Sequence, residues 1–258
     1  DLVGEWQRPS FDLAANSVGV LDGDRMVGYA EYGGAGRGDA TVHPAYRGRG
    51  IGTWLARWLQ QTARARGATE VGMPVPVGSS GEALLRSLGY HQRWESWVLC
   101  LPDGASISDQ PLPEGYSLIS AEPRHVPAAW EVTEDAFLEW SVRERSPLAD
   151  WTAGVTERPG FQPWMLRLVT DPAGIVVGVA HVVVQDDCAF VSKLAVRADQ
   201  RNRGLARALL ADAFARAREH GAVRNELSTD SRTGALGLYE RLGMVVTSRW
   251  VNLGIGVG

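Results

Sequence analysis

One stretch of this chain occurs twice, and that repetition limits the possible folds more than any composition figure. Residues 46–68 read YRGRGIGTWLARWLQQTARARGA, and residues 200–222 read QRNRGLARALLADAFARAREHGA. Arg47 aligns with Arg201, Gly50 with Gly204 and Gly67 with Gly221, each pair 154 residues apart. The register holds through SLGY at 87–90 and RLGM at 241–244. Upstream, MVGYA at 26–30 matches VVGVA at 176–180 at a spacing of 150, a difference that one hairpin turn absorbs. Solenoid repeats run to about 20–50 residues. This longer period marks two copies of one fold in tandem.

The second copy is the more legible. GYSLISA (115–121) reads as a strand. Residues 125–140 read as a helix with Val126, Ala129, Trp130, Val132, Ala136 and Phe137 on its apolar side. A short helix follows at 146–155, with Pro147 suited to the first turn. WMLRLVT and GIVVGVAHVVVQ form a hairpin about DPAG, and CAFVSKLAV (188–196) is the next strand. The helix predicted over 204–220 places Leu205, Leu209, Leu210, Ala213, Phe214 and Ala217 on one stripe and ends at His220-Gly221. AVRNELSTD, TGALGLYERL and MVVTSRWVNLGI then give strand, helix and closing strand, for an order of βααβββαβαβ. The first copy starts at SVGVLD (17–22) and lacks the opening strand and two helices. LPDGASISDQPLPEG, rich in Pro, Gly, Ser and Asp, separates the copies. The expectation is an α+β fold in α/β/α layers. Each of two tandem domains has a mixed, mostly antiparallel central sheet flanked by helices: an N-terminally incomplete domain at 1–101, a linker at 102–114, and a complete domain at 115–258.

Composition narrows the function classes. The net charge is −4, which argues against a nucleic-acid binder with its clustered basic surface, so the arginines of the repeat need a local explanation. No apolar run approaches the roughly 20 residues of a bilayer span, and no membrane association is expected. Cys100 and Cys188 are distant in sequence and suggest neither a disulfide framework nor a metal cluster. A reducing cytoplasm and a metal-free site are the simplest expectations.

Both copies carry Arg-x-x-Gly-x-Gly/Ala at a strand-to-helix junction: Arg47, Gly50 and Gly52, then Arg201, Gly204 and Ala206. Free N–H groups and the positive dipole end at a helix N-terminus make an anion site. Small residues let a phosphate approach the backbone, and arginines add charge-assisted hydrogen bonds. A single such loop could be a glycine-rich turn with solvated arginines; its recurrence in matched context argues for a site. The candidate loops are Arg47, Gly48, Arg49, Gly50, Ile51 and Gly52, and Arg201, Asn202, Arg203, Gly204, Leu205 and Ala206. No Gly-Lys-Ser/Thr follows, as a Walker loop needs, and the antiparallel surroundings do not fit a dinucleotide fingerprint.

LAVRADQRNRGLARALL resembles the pyrophosphate-binding motif of the GNAT superfamily of acyl-CoA-dependent N-acetyltransferases, and STDSRTGALGLYERLGM resembles that family's motif on the following strand and helix. The resemblance covers nearly all of 115–255 and, more loosely, 17–100, in a layout similar to tandem members. It implies acetyl-CoA as cosubstrate, with pantetheine amides on Leu194, Ala195 and Val196 and pyrophosphate on the N–H groups of 201–206. It also implies direct attack of an amine on the thioester, which needs a base, a polarised carbonyl and an acid for the thiolate. Tyr239 resembles the family's thiolate-protonating tyrosine, although its helix stripe with Ala235 and Leu242 also suits a core tyrosine. The aligned position of the first copy is Leu85, which has no proton to give. That copy keeps Thr41, Val42, His43 and the Arg47–Gly52 loop, so it could bind acyl-CoA without turnover.

The base is open. Many relatives carry a glutamate on the strand before the loop, but here it reads FVSKLAV, with Ser192 and Lys193. Glu134, Asp135, Glu139 and His181 are the candidates; the carboxylates could equally be a solvated helix face and His181 a plain strand residue. Cys188 has no indicated partner for a nucleophilic role. Trp130, Phe137, Trp140 and Trp151 suit core packing or the wall of an acceptor pocket. The sequence thus points to acetyl transfer onto a primary amine, that of a small molecule first, carried out by residues 115–258. A non-catalytic acyl-CoA sensor and an acetyltransferase acting on a protein or peptide amine are the alternatives.

Overall fold

A computed structural model describes residues 6–258, and they divide into two compact units. The smaller comprises Phe11–Ser96 and Ser248–Gly258; the larger comprises Trp97–Thr247 together with residues 6–10. The first five residues of the expected 1–101 domain lie outside the described residues.

In the smaller unit a short helix α1 (Leu13–Asn16) leads into β1 (Ser17–Asp22), β2 (Arg25–Gly34) and β3 (Arg37–Val42), an antiparallel series. Helix α2 (Ile51–Ala65), β4 (Glu70–Pro76), α3 (Ser80–Ser87) and the first part of β5 (His91–Cys100) follow. α2 turns Leu55, Ala56, Leu59 and Ala63 inward, the i, i+4 stripe that its sequence prescribes. These join a core with Ala30, Tyr32, Val71, Met73 and Leu85.

The larger unit carries β6 (Ser117–Ser120), α4 (Val126–Leu138), α5 (Leu148–Val155), β7 (Leu166–Thr170), β8 (Val176–Gln185), β9 (Cys188–Val196), α6 (Leu205–Glu219), β10 (Arg224–Asp230), α7 (Leu236–Arg241) and the start of β11 (Val245–Gly256). β6 to β9 run antiparallel in sequence order, and β10 joins β9 in parallel. One face is covered by α6, whose Leu205, Leu209, Leu210, Ala213, Phe214 and Ala217 are buried. Ala129 and Val132 of α4 and Trp151 and Val155 of α5 belong to a second core cluster with Leu166, Leu168, Val179 and Ala195. Sheet and helices thus follow the expected order. Pro147 sits at the N-cap of α5 rather than in its first turn, and α7 is shorter than TGALGLYERL suggested.

Besides the placement of residues 6–10 in the larger unit, the division of the chain differs from the sequence boundaries in three places. Ser248–Gly256, the end of the second copy, pairs antiparallel with β4 from Trp250↔Pro76 to Gly256↔Glu70, and Val251, Leu253 and Val257 enter the smaller unit's core. Conversely, the end of β5 belongs to the larger unit, where the Leu101 N–H donates to the Asn225 carbonyl at 3.0 Å. β5 is mostly half-buried and β11 is fully buried over Val251–Gly254, a difference that appears only once each strand has found its unit. The stretch expected as a free linker also packs: Ile107 is buried in the larger unit's core with Leu99 and Leu101.

Candidate functional site

The anion loop of the larger unit leaves β9 through a 3-10 turn, Ala198–Gln200. Asn202 takes φ 61° and Gly204, the N-cap of α6, φ 79°. This left-handed cap carries no side-chain hydrogen bond, so the first N–H groups of α6 are open to an anion. Leu205 is buried beneath the loop and Ala206 is half-buried. The arginines already have partners. Arg201 donates through Nε to the Val196 carbonyl at 3.2 Å and forms a bidentate pair with Glu139 at 2.7 and 2.6 Å. Arg203 donates to the Tyr116 hydroxyl at 3.2 Å, and Arg207 to the Ser108 carbonyl at 3.1 Å. A Cβ on Gly204 would collide with the Gln110 amide, so the stretch 108–116 lies directly over the loop. No sequence motif marks Ser108, Gln110 or Tyr116.

Beside the loop the sheet forks. β9 and β10 pair from Cys188↔Arg224 to Val191↔Leu227 and no further, whereas β9 stays paired with β8 as far as Val196↔Gly178. Leu194, Ala195 and Val196 therefore keep backbone groups on the β10 side free of ladder partners, as an extended ligand with amide groups requires. Ala195 and Val196 are buried and Leu194 is half-buried.

Tyr239 lies on α7, immediately after β10, and is 8% exposed. Burial pushes its phenol up to about 12, so it stays protonated at any physiological pH. Such a group can give a proton to a thiolate and does not compete as an anion.

The base candidates do not converge on one position. Glu134 is 4% exposed and bound by both terminal nitrogens of Arg143, at 2.6 and 3.0 Å, and by the Ser146 N–H at 2.9 Å. Burial would raise its pKa, but Arg143 and Ser146 outweigh burial and hold it below the usual carboxylate range. Asp135 is a surface partner of Arg145. Glu139 is lowered by its pair with Arg201. A carboxylate held low by a cation is a weak proton acceptor. His181 is 1% exposed, with Nδ1 2.7 Å from Ser192 Oγ; burial, then Lys193 and Arg158, hold its pKa well below 6.5. Cys188 is pushed up to about 11, chiefly by burial, which suits no thiolate nucleophile.

Of the aromatic group, Trp151 is buried in the core, and Trp130 packs on that core while donating to the Ser146 carbonyl at 2.9 Å. Phe137 and Trp140 contact each other at 5.2 Å, with Arg232 over Trp140 at 4.8 Å. Core packing accounts for the first two.

The smaller unit repeats the loop with different surroundings. Gly50 caps α2 at φ 85°, again with no side-chain cap. Arg49 stacks over Tyr46 at 4.7 Å, and Arg49, Gly50 and Ile51 line a pocket of 260 Å³ with Val20 and the half-exposed Trp54. Gly48 is left-handed, a Cβ on Gly52 would press on Leu84, and the side chain of Arg47 is exposed. Thr41 and Val42 pair with β2, His43 Nε2 lies 2.9 Å from Arg25, and the β3–β4 ladder is the single pair Arg37↔Gly72. Leu85 is buried at 3% exposure.

The comparisons with known proteins agree with this geometry. The model of the acetyltransferase (GNAT) family matches residues 4–90 and again 126–244. The mycothiol acetyltransferase of Salinispora arenicola is 34% identical over 232 residues, covering 84% of this chain and 73% of its own. That of Thermobispora bispora is 27% identical, covering 90% and 79%. A GCN5-related N-acetyltransferase from Sphaerobacter thermophilus superposes with a TM-score of 0.76 at 27% identity, over 99% of this chain and 84% of that one. A tandem GNAT protein from the clavulanic acid biosynthesis pathway shares the fold, with a TM-score of 0.71 at 20% identity over 94% and 82%. Two copies of the family's motif, each at an uncapped helix N-terminus, and a family match to both halves lead to one conclusion: the chain belongs to the GNAT acetyltransferase family and is an N-acetyltransferase with two tandem GNAT domains.

Proposed function

We propose that the larger unit transfers the acetyl group of acetyl-CoA to the primary amine of a small molecule by direct attack. The observation that carries this reading is the fork after Val191↔Leu227, opening next to the uncapped N-terminus of α6 and followed in the chain by Tyr239. Phosphates fit the N–H groups of 201–206 with Arg201 and Arg203 beside them. The pantetheine amides fit the free edge of Leu194, Ala195 and Val196, and Tyr239 gives its proton to the departing sulfur. The smaller unit's loop fits a second acyl-CoA, with Leu85 leaving it without that acid. The relatives named mycothiol acetyltransferase make the free-amine form of mycothiol the first acceptor to try.

The test is release of free CoA from acetyl-CoA across a panel of amines that includes this acceptor, amino sugars, amino acids and lysine peptides. Turnover of a small amine supports the reading; turnover of the peptides alone replaces the acceptor class. A second reading, an acyl-CoA sensor, is favoured by one observation: Glu134, Asp135 and Glu139 are all engaged by arginines. Tight acetyl-CoA binding with no turnover of any amine would select it.

A further inference from the structure

A β-bulge sits where the fork opens. His181 opposes Lys193 while Val182 opposes Val191, so Ser192 is the extra residue of β9, one position past the last β9–β10 pair. Bulges re-aim side chains that regular pleating would send elsewhere. This one brings Ser192 Oγ to 2.7 Å from His181 Nδ1, with a longer contact of 3.4 Å to the His181 carbonyl. The other ring nitrogen, Nε2, is buried and has no hydrogen-bond partner among the described residues. If the hydroxyl donates to Nδ1, Nε2 carries an unsatisfied proton; if Nδ1 donates, Nε2 carries an unsatisfied lone pair. Either orphan is costly in a core and calls for a reason beyond packing.

We propose that Ser192 receives the acceptor amine at the acyl end of the fork, and that His181 is the positioning residue that fixes its hydroxyl. This rests on acetyl transfer in the larger unit as proposed above. The direction of the cosubstrate follows from the loop. With phosphates at 201–206 and pantetheine running back along Val196, Ala195 and Leu194, the acyl end reaches Ser192, about 13 Å from Val196 at roughly 3.3 Å per residue. Ser192 Oγ accepts an N–H of the neutral amine and aims its lone pair at the thioester carbon. The C–N bond forms from that lone pair, and the C–S bond breaks with its electrons on sulfur. The proton lost by nitrogen goes to solvent; Tyr239 supplies one to sulfur and recovers it from solvent. Neither Ser192 nor His181 changes charge. The groups facing the imidazole fit this neutral role: Lys193 and Arg158 oppose its protonation, and the carboxylate near Lys193, Glu134, is held by Arg143.

The test is steady-state kinetics of Ser192→Ala, Ser192→Thr, His181→Phe, His181→Asn and the double variant Ser192→Ala/His181→Phe, with amine and acetyl-CoA varied separately. Ser192→Ala and His181→Phe are each expected to lower kcat/KM for the amine about 10-fold while leaving KM for acetyl-CoA unchanged. His181→Asn, which keeps a polar atom near Nδ1, should recover most of the loss. The double variant should be no worse than the worse single, because both remove one interaction. Full amine kcat/KM in Ser192→Ala, a KM for acetyl-CoA raised by the same factor, or additive losses overturn the proposal. Should His181→Phe fail to fold, the two Ser192 variants decide it alone. A wild type that acetylates no amine removes the proposed function and this inference together, whereas a fully active Ser192→Ala removes only this inference.

Discussion

The two anion loops have nearly the same backbone and different company. Each follows a 3-10 turn, Pro44–Tyr46 or Ala198–Gln200, and each helix is capped by a left-handed glycine without side-chain help. In the smaller unit the loop borders an open pocket, and Arg49 spends its charge on the Tyr46 ring. In the larger unit Arg201, Arg203 and Arg207 hold Glu139, Tyr116 and Ser108, and Gln110 lies over Gly204. Tyr239 follows one loop and Leu85 the other. A duplicated loop can therefore diverge in what covers it while its backbone stays fixed, because its geometry depends on the glycine cap and the helix.

Four experiments would break or sharpen this contrast. The largest effect is expected from Tyr239→Phe, which should lower turnover about 100- to 10,000-fold with acetyl-CoA affinity nearly unchanged; Leu85→Tyr should restore nothing. Unaltered turnover in Tyr239→Phe ends its role as the acid. Next is Leu253→Ala, expected to cost about 2–5 kcal/mol because Leu253 is fully buried. Hydrogen exchange should show the loss of protection within 11–96, although Leu253 belongs to the second copy in sequence; a loss centred on 115–247 would contradict the exchange of closing strands.

Gly204→Val places a β-branched residue at φ 79° and against Gln110, and should weaken acetyl-CoA binding about 10- to 100-fold by calorimetry. The same change at Gly50 is also strained, at φ 85°, but lies in the unit that carries Leu85 in place of Tyr239 and should leave turnover within about twofold. A reversed pattern would make the first loop the working one. Gln110→Ala should tighten acetyl-CoA binding about threefold, since the phosphates no longer displace that side chain; weaker binding would make Gln110 a ligand.

A pH effect follows from Tyr239. Its folded pKa, about 12, lies above the ordinary phenol value of 10.0, so the folded state holds this proton more tightly than the unfolded state. The associated stability is fully present below pH 10 and is lost as pH rises towards 12. Wild type should therefore lose thermal stability relative to Tyr239→Phe across that window, and parallel curves would contradict the assignment.

Much of the fold was legible because its signals are local. The stripe Leu205–Ala217, the DPAG hairpin and the glycine caps each depend on a few neighbouring residues, and the structure places them as read. The uncapped helix start at 204 was legible because it is made of backbone. The site was not legible where it depends on side chains far apart in sequence. Glu139 read as a base candidate lies on Arg201, a partner 62 positions away, and Glu134 is committed to Arg143 and Ser146. Ser192 was visible only as part of FVSKLAV, a strand on which many relatives carry a glutamate, because a bulge leaves no mark in the periodicity of one strand.

By itself the sequence determined that this protein is two copies of one α+β fold, each with a glycine-rich loop ahead of a helix, and that Tyr239 of the second copy aligns with Leu85 of the first. Repeats, periodicity and caps encode those features within short windows. Only the tertiary structure decided which unit each closing strand completes, what lies over the second loop, and that His181 and Ser192 meet at the fork. Those outcomes depend on which distant surfaces pack together, and two closing strands or two paired side chains carry no address for their partner in the order of residues.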